Sequence, residues 1–249
     1  MSSEKKLRIN KFIAASGLCS RRKADDLIKQ GHITINNQTV TSLGIMVSPE
    51  DDVKYKGKTL KLETSTYILL NKPKDCITTA KDQRNRSTVY DLIKNVPERV
   101  FPVGRLDRNT TGILLLTNDG ELSTKLAHPS GQIPKLYEAT LNKSFTKEDF
   151  NSLKQGITLD DGPVKIDDLA YPESNNAFKV GLKIHSGRNH VVRRIFAQLG
   201  YKVENLDRVL FANLTKKELP RGKWRYLQEN EVRLLKQLTN DSEKHKKTL

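Results

Sequence analysis

The chain has 249 residues, with 44 Lys and Arg against 29 Asp and Glu, for a net charge of +15. A hydrophobic share of 36% and a charged share of 29% describe one large folded domain or two smaller ones, not a disordered or fibrous chain. No apolar run approaches the roughly 18 residues of a membrane helix. Cys19 and Cys76 are too few and too far apart for a disulfide framework or a zinc cluster. Residues 1–6 do not lead into an apolar core, so no secretory signal is expected, and the expectation is a reduced, cytoplasmic protein without membrane contact. The cationic excess favours a polyanionic partner, because Lys and Arg displace condensed counterions from phosphates. Residues 1–65 carry +5 and residues 66–249 carry +10, which implies that both parts touch it.

In chain order, Ile9, Phe12 and Ile13 form a helical stripe within residues 7–15, and Gly17 stops it. Ser20 caps a second helix over residues 21–30, with Ala24, Leu27 and Ile28 inward and Gly31 beyond its end. Ile33, Ile35 and Val40 flank an Asn36-Asn37 turn, which reads as a hairpin, and a second hairpin turns at Lys56-Gly57. The polar residues 63–66 mark a boundary, giving domains 1–65 and 66–238 and a polar, frayed tail over 239–249.

Beyond the boundary, strands are expected at 67–70, 113–117, 136–141, 178–184 and 209–214, and helices at 87–95, 119–128, 146–155 and 189–199. The 113–117 strand, ILLLT, is apolar throughout and should be buried on both faces. Strands and helices mix without strict alternation, which predicts an α+β domain with a mostly antiparallel sheet.

In the front module Arg8, Lys11 and Lys23 lie off the apolar stripe and can track a phosphate backbone. Arg21 and Arg22 can do the same, or pair with Asp25 and Asp26 at i, i+4. The segment LRINKFIAASGLCSRRKADDLIKQGHITINNQTV, continuing to about residue 53, resembles the alpha-L RNA-binding module named after a small-subunit ribosomal protein. The resemblance implies that Arg8, Lys11, Arg21, Arg22 and Lys23 lie against structured RNA. It implies binding and not a reaction.

There is no GxxxxGK[ST] loop, no GxGxxG, no GxSxG, and no metal-ligand spacing among the five histidines. A reaction without nucleotide, metal or redox cofactor is therefore expected, such as an isomerisation. The densest candidate is residues 103–112, VGRLDRNTTG, directly ahead of the buried strand. By itself Asp107 reads first as a turn residue accepting backbone hydrogen bonds, and only second as a functional carboxylate.

This segment resembles the second motif of the pseudouridine synthases, in the branch that modifies ribosomal RNA at single sites. NKP at 71–73, FPVGRLDRNTTGILLLTNDGEL at 101–122, KLYEATL at 135–141 and SGRNHVVRRIFAQLGYKVENLDRVLFANL at 186–214 support it. With the front module, the resemblance spans nearly the whole chain except the tail. It implies a central, mostly antiparallel sheet flanked by helices and crossed by a cleft. It also implies that Asp107 is the essential carboxylate, attacking the flipped uridine or its sugar. The same resemblance implies that Tyr137 stacks on the base and serves proton removal from carbon 5, that Arg193 pairs with Asp107, and that Arg105 enters the space left by the base. Lys72 and Arg188 are expected RNA contacts.

The chemistry suits these residue types. The target nucleotide must be extruded, at a cost of a few kcal/mol. A carboxylate in a pocket that excludes water needs a guanidinium to keep it charged. Where relatives read GRNRQVRR this chain reads GRNHVVRR, with His190 and Val191 replacing Arg and Gln. The expected partner is a structured stem-loop of ribosomal RNA, the 23S RNA foremost, acted on by a monomer without a metal; FPVGRLDRNTTG and GKWRYL favour the large-subunit enzymes. Two alternatives stay open: an RNA-binding factor with an inert domain, which would not depend on Asp107, and a metal-dependent nuclease built on Asp107, Asp119 and Glu121, which a chelator would stop.

Overall fold

The computed structural model describes residues 6–80, 82–128 and 131–247. The chain divides into two compact units, Met1–Ser65 and Thr66–Leu249.

The first unit runs β1 (Leu7–Arg8), α1 (Ile9–Ala15), α2 (Arg21–Lys29), β2 (Ile33–Ile35), β3 (Gln38–Val40), β4 (Met46–Val47), β5 (Val53–Tyr55) and β6 (Lys58–Thr59). Ser20 Oγ accepts from Lys23 N and so caps α2. Asn36 (φ 50°) and Asn37 (φ 65°) both occupy the left-handed region, the geometry a tight two-residue hairpin needs to match strand twist. The strands form an antiparallel sheet in the order β3-β2-β5-β6, and β1 pairs with β4. The inward faces of α1, α2 and the strands meet in one apolar core that includes Ile9, Phe12, Ile13, Leu27, Ile28 and Val53. Arg8, Arg21, Arg22 and Lys23 are exposed and Lys11 is half-buried. Asp25 accepts a hydrogen bond from Asn10 Nδ2 at 2.8 Å, which ties α2 to α1.

The second unit runs β7 (Tyr67–Lys72), α3 (Val89–Leu92), β8 (Phe101–Pro102), β9 (Thr110–Thr117), α4 (Gly120–Ala127), β10 (Lys135–Leu141), α5 (Lys147–Lys154), β11 (Ile157–Leu159), β12 (Gly162–Val164), β13 (Asp168–Ala170), β14 (Lys179–Ile184), α6 (Val191–Gln198), β15 (Val203–Phe211), β16 (Leu214–Thr215), β17 (Trp224–Tyr226) and α7 (Glu229–Lys247). Its sheet has the order β13-β14-β10-β15-β9-β7-β17, with β16 on β15 and β8 on β9. Among the described residues, only the β9–β15 pairing within it is parallel. β7 and β9 are covered on both faces: Leu69, Ile113 and Leu115 pack with α4 and α7, and Ile68, Leu70, Leu114 and Leu116 with Val89 and Ile93. The other end of the sheet buries Ala139, Val180, Leu182 and Leu206 beneath Val192, Ile195 and Phe196 of α6.

The structure departs from expectation in three elements. The helix expected over 87–95 is the single turn α3, closed by a capping box between Thr88 and Asp91 and followed by Pro97. The strand expected at 209–214 begins six residues earlier, at Val203. Register shifts against β10 interrupt its alternation, so VENLDR does not read as a strand from period alone. The polar tail expected over 239–249 is helical through Lys247 as part of α7, which Val232, Leu235 and Leu238 hold against the core.

Consecutive strand residues point to opposite faces, and β15 uses both. Asp207 accepts from Thr111 Oγ1 (2.6 Å), Arg221 Nη1 (2.9 Å) and Lys216 Nζ, while Arg221 also donates to Asn71 Oδ1. Burial pushes the Asp207 carboxyl up, but these donors outweigh it and hold the pKa at about 2. This network cross-links β7, β9 and β15. Its neighbour Arg208 faces the cleft.

Candidate active site

A cleft of about 430 Å³ opens where β9, β15 and β10 run side by side. Its floor is built from strand residues. Thr110 comes from β9, Leu206 and Arg208 from β15, and Lys135 and Tyr137 from β10. Tyr137 stands directly opposite Arg208 in the antiparallel register, and Arg208 opposite Gly112 in the parallel one. Gly112, at φ 104°, is required here, because a Cβ would lie 2.2 Å from the Arg208 carbonyl oxygen.

The rim is built from two loops. Residues 103–109 bring Arg105 and Asp107, and residues 185–190 bring Arg188 and His190. The first loop is held from below. The Lys72 side chain is fully buried, and its ammonium donates to the carbonyls of Pro73 (3.0 Å), Arg108 (3.1 Å) and Thr110 (2.8 Å). Burial pushes the Lys72 pKa from 10.5 down to about 8, while nearby Cys76 and Asp107 act against that drop. Thr78 Oγ1 donates to the Leu106 carbonyl, and buried Leu106 anchors the loop apolarly. Asp107 itself accepts the Thr110 N–H through its carbonyl, leaving its carboxylate facing the cleft.

His190 Nε2 lies 3.2 Å from Asp107 Oδ1. His190 sits at the N-cap of α6 in the left-handed conformation (φ 50°), which turns its ring off the helix and toward the loop. Lys135 adds a further cation whose pKa burial lowers to about 8, with Arg208 adding to the drop.

Two matches decide the family. A model described as RNA pseudouridylate synthase matches residues 66–198, and an S4-domain model matches residues 7–53. The chain belongs to the RNA pseudouridine synthases. Across 94% of its length it is 40% identical to the ribosomal large subunit pseudouridine synthase B of Bacillus subtilis, covering 97% of that protein. It is 42% identical to an RNA pseudouridine synthase of Aquifex aeolicus, covering 91% of this chain and 92% of that one. A crystal structure of a pseudouridylate synthase superposes with a TM-score of 0.65 at 32% identity, covering 92% of this chain and 99% of that one.

For this pseudouridine synthase, several sequence expectations need correction. The expected pairing of Arg193 with Asp107 does not form. The Arg193 guanidinium donates to the Val203 carbonyl at 2.8 Å, at the start of β15, and it is not among the cleft-lining residues. Arg193 is the third residue of α6 and is carried toward β15, whereas the N-cap residue His190 meets Asp107. Lys72, an expected RNA contact, instead spends all three of its protons inside the protein. Arg188 does line the cleft, with one guanidinium nitrogen committed to Gly162 O and Asp161 Oδ1. Asp119 belongs to another part of the fold: it caps α4 and accepts from Tyr67 Oη at 2.8 Å. The nuclease grouping with Asp107 therefore has no geometric basis. Sequence reasoning missed Arg208 and Lys135 as cleft residues.

Proposed function

We propose that this synthase isomerises one uridine of the large-subunit (23S) ribosomal RNA, working as a monomer in the cytoplasm. The observation that carries the reading is the placement of the Asp107 carboxylate at the rim of a cleft whose floor holds Tyr137. In the reaction the C1′–N1 bond breaks, uracil turns over, the C1′–C5 bond forms, the C5 proton leaves and N1 takes up a proton, so that no atom is gained or lost. Asp107 is the group that drives the bond exchange, and Tyr137 offers a stacking face and a phenolic oxygen for the C5 proton. His190 orients the Asp107 carboxylate. Arg105 is exposed at the junction of the cleft with an open groove that Arg84, Arg86 and Arg108 also line, and it fills the space the extruded base leaves. Arg8, Lys11, Arg21, Arg22 and Lys23 of the first unit grip the structured stem.

The large-subunit assignment is supported by the name of the B. subtilis relative and by the near-complete overlap with it. Mapping pseudouridines across ribosomal RNA with and without this gene tests it. Loss of one site in the large-subunit RNA is expected, and an unchanged map would refute it.

A further inference from the structure

Among the described residues, two buried side-chain atoms in the cleft have no hydrogen-bond partner. They are Arg208 Nη2 and Thr110 Oγ1, on residues that are 3% and 2% exposed. A buried donor left bare is costly, and a cationic one more so. On the same guanidinium, Nε donates to Ile113 O at 2.8 Å, and the group lies 4.8 Å from the centre of the Phe211 ring. Arg208 lines the cleft and stands opposite Tyr137 of the next strand in the antiparallel register.

We propose that Arg208 and Thr110 read the flipped uracil: Arg208 Nη2 donates to O4, and Thr110 Oγ1 accepts from N3–H. The proposal rests on the reading that the target base enters this cleft. His190 is exposed and Asp107 half-buried at the rim, so the ribose stays there, and the deepest residue meets the end of the base farthest from the sugar. In uridine that end is C4=O4, opposite N1. Turning the ring about its N3–C6 axis exchanges N1 with C5 and O4 with O2. The same guanidinium nitrogen therefore meets a carbonyl before and after rearrangement, and Thr110 keeps N3–H throughout. Cytosine would present an amino group to Arg208, donor against donor, so Arg208 also rejects cytidine, whereas the Thr110 hydroxyl can donate to cytosine N3 as readily as it accepts from N3–H.

The probe is a synthetic stem-loop around the mapped uridine, carrying either uridine or 4-thiouridine at that position; sulfur accepts hydrogen bonds poorly. Single-turnover conversion and stem-loop affinity are measured for the full chain, Arg208→Met and Thr110→Val. Arg208→Met should slow uridine conversion about 10-fold or more, with affinity changed less than about 3-fold, since most affinity comes from phosphates. Thr110→Val, which keeps the shape, should slow conversion by about 3- to 10-fold. Thiouridine should slow the wild type but slow Arg208→Met no further. Equal slowing of both proteins by thiouridine would make Arg208 a strap between strands and overturn the inference. If Arg208→Met is insoluble, Arg208→Leu, which also lacks a donor, carries the same comparison. A wild type that converts neither probe overturns the functional reading as well, and is distinct from an active wild type with an equally active Arg208→Met, which overturns this inference alone.

Discussion

Replacing Lys72 by Met tests whether a buried ammonium holds the catalytic loop. The substitution keeps the chain length and volume but leaves the carbonyls of Pro73, Arg108 and Thr110 without their donor. A neutral lysine keeps two N–H donors for these carbonyls, so at roughly 1 to 1.5 kcal/mol for each one left bare the loss is about 2.5 kcal/mol against it. The fall of the Lys72 pKa from 10.5 to about 8 corresponds to about 3 kcal/mol by which burial disfavours the charged form. At pH 7 that cost is fully present in the wild type, so Lys72→Met should lie within about 1 kcal/mol of it in stability. Between pH 8 and 10.5 the native lysine has lost its proton while the unfolded one keeps it, so wild-type stability rises with pH relative to the variant. The stability difference should move by about 3 kcal/mol in favour of the wild type by pH 10.5. Urea unfolding of both proteins from pH 7 to 10.5 reads this difference, and groups common to both cancel. A gap that stays flat from pH 7.5 to 9.5 would place the lysine near its ordinary pKa and refute the reasoning. Because the loop carries Asp107, conversion at pH 7.5 should also fall by about 10-fold or more.

Gly112→Ala should remove most soluble protein or lower stability by about 3 kcal/mol or more, because a Cβ at φ 104° meets the Arg208 backbone; thermal melting checks it. Removing residues 1–65 should leave a cooperatively melting fragment, since each unit has its own core, and should cut RNA affinity. It should also flatten the dependence of affinity on salt by about 0.7 to 0.9 in log–log slope for each phosphate that the first unit neutralises. Filter binding of a ribosomal RNA transcript between 50 and 200 mM salt, roughly the range where this dependence is steep, measures both.

Local chemistry makes much of this fold legible. The Asn36-Asn37 and Lys56-Gly57 turns declare themselves because few residues accept positive φ. The unbroken apolar run of β9 announces burial on both faces. β15 is hidden, because shifts in its register against β10 break the alternation on which strand reading depends. Arg208 is hidden with it, as a charged residue in an outwardly polar stretch. The motif around Asp107 stands out in the sequence, but the identity of the side chain that meets its carboxylate does not. Periodicity places Arg193 and His190 one helical turn apart without saying which faces the loop, and that choice turns on the left-handed backbone at His190. Lys72 reads as an RNA contact because nothing local shows that three carbonyls enclose it.

The central claim is that the carboxylate at position 107 performs the isomerisation. Asp107→Asn, nearly isosteric, isolates it. Conversion of the mapped uridine by the purified variant is the direct measurement, with melting temperature and RNA affinity as controls. The rate should fall by roughly 10³-fold or more while both controls stay near wild type. A folded, RNA-binding Asp107→Asn protein that converts uridine at the wild-type rate would contradict the account.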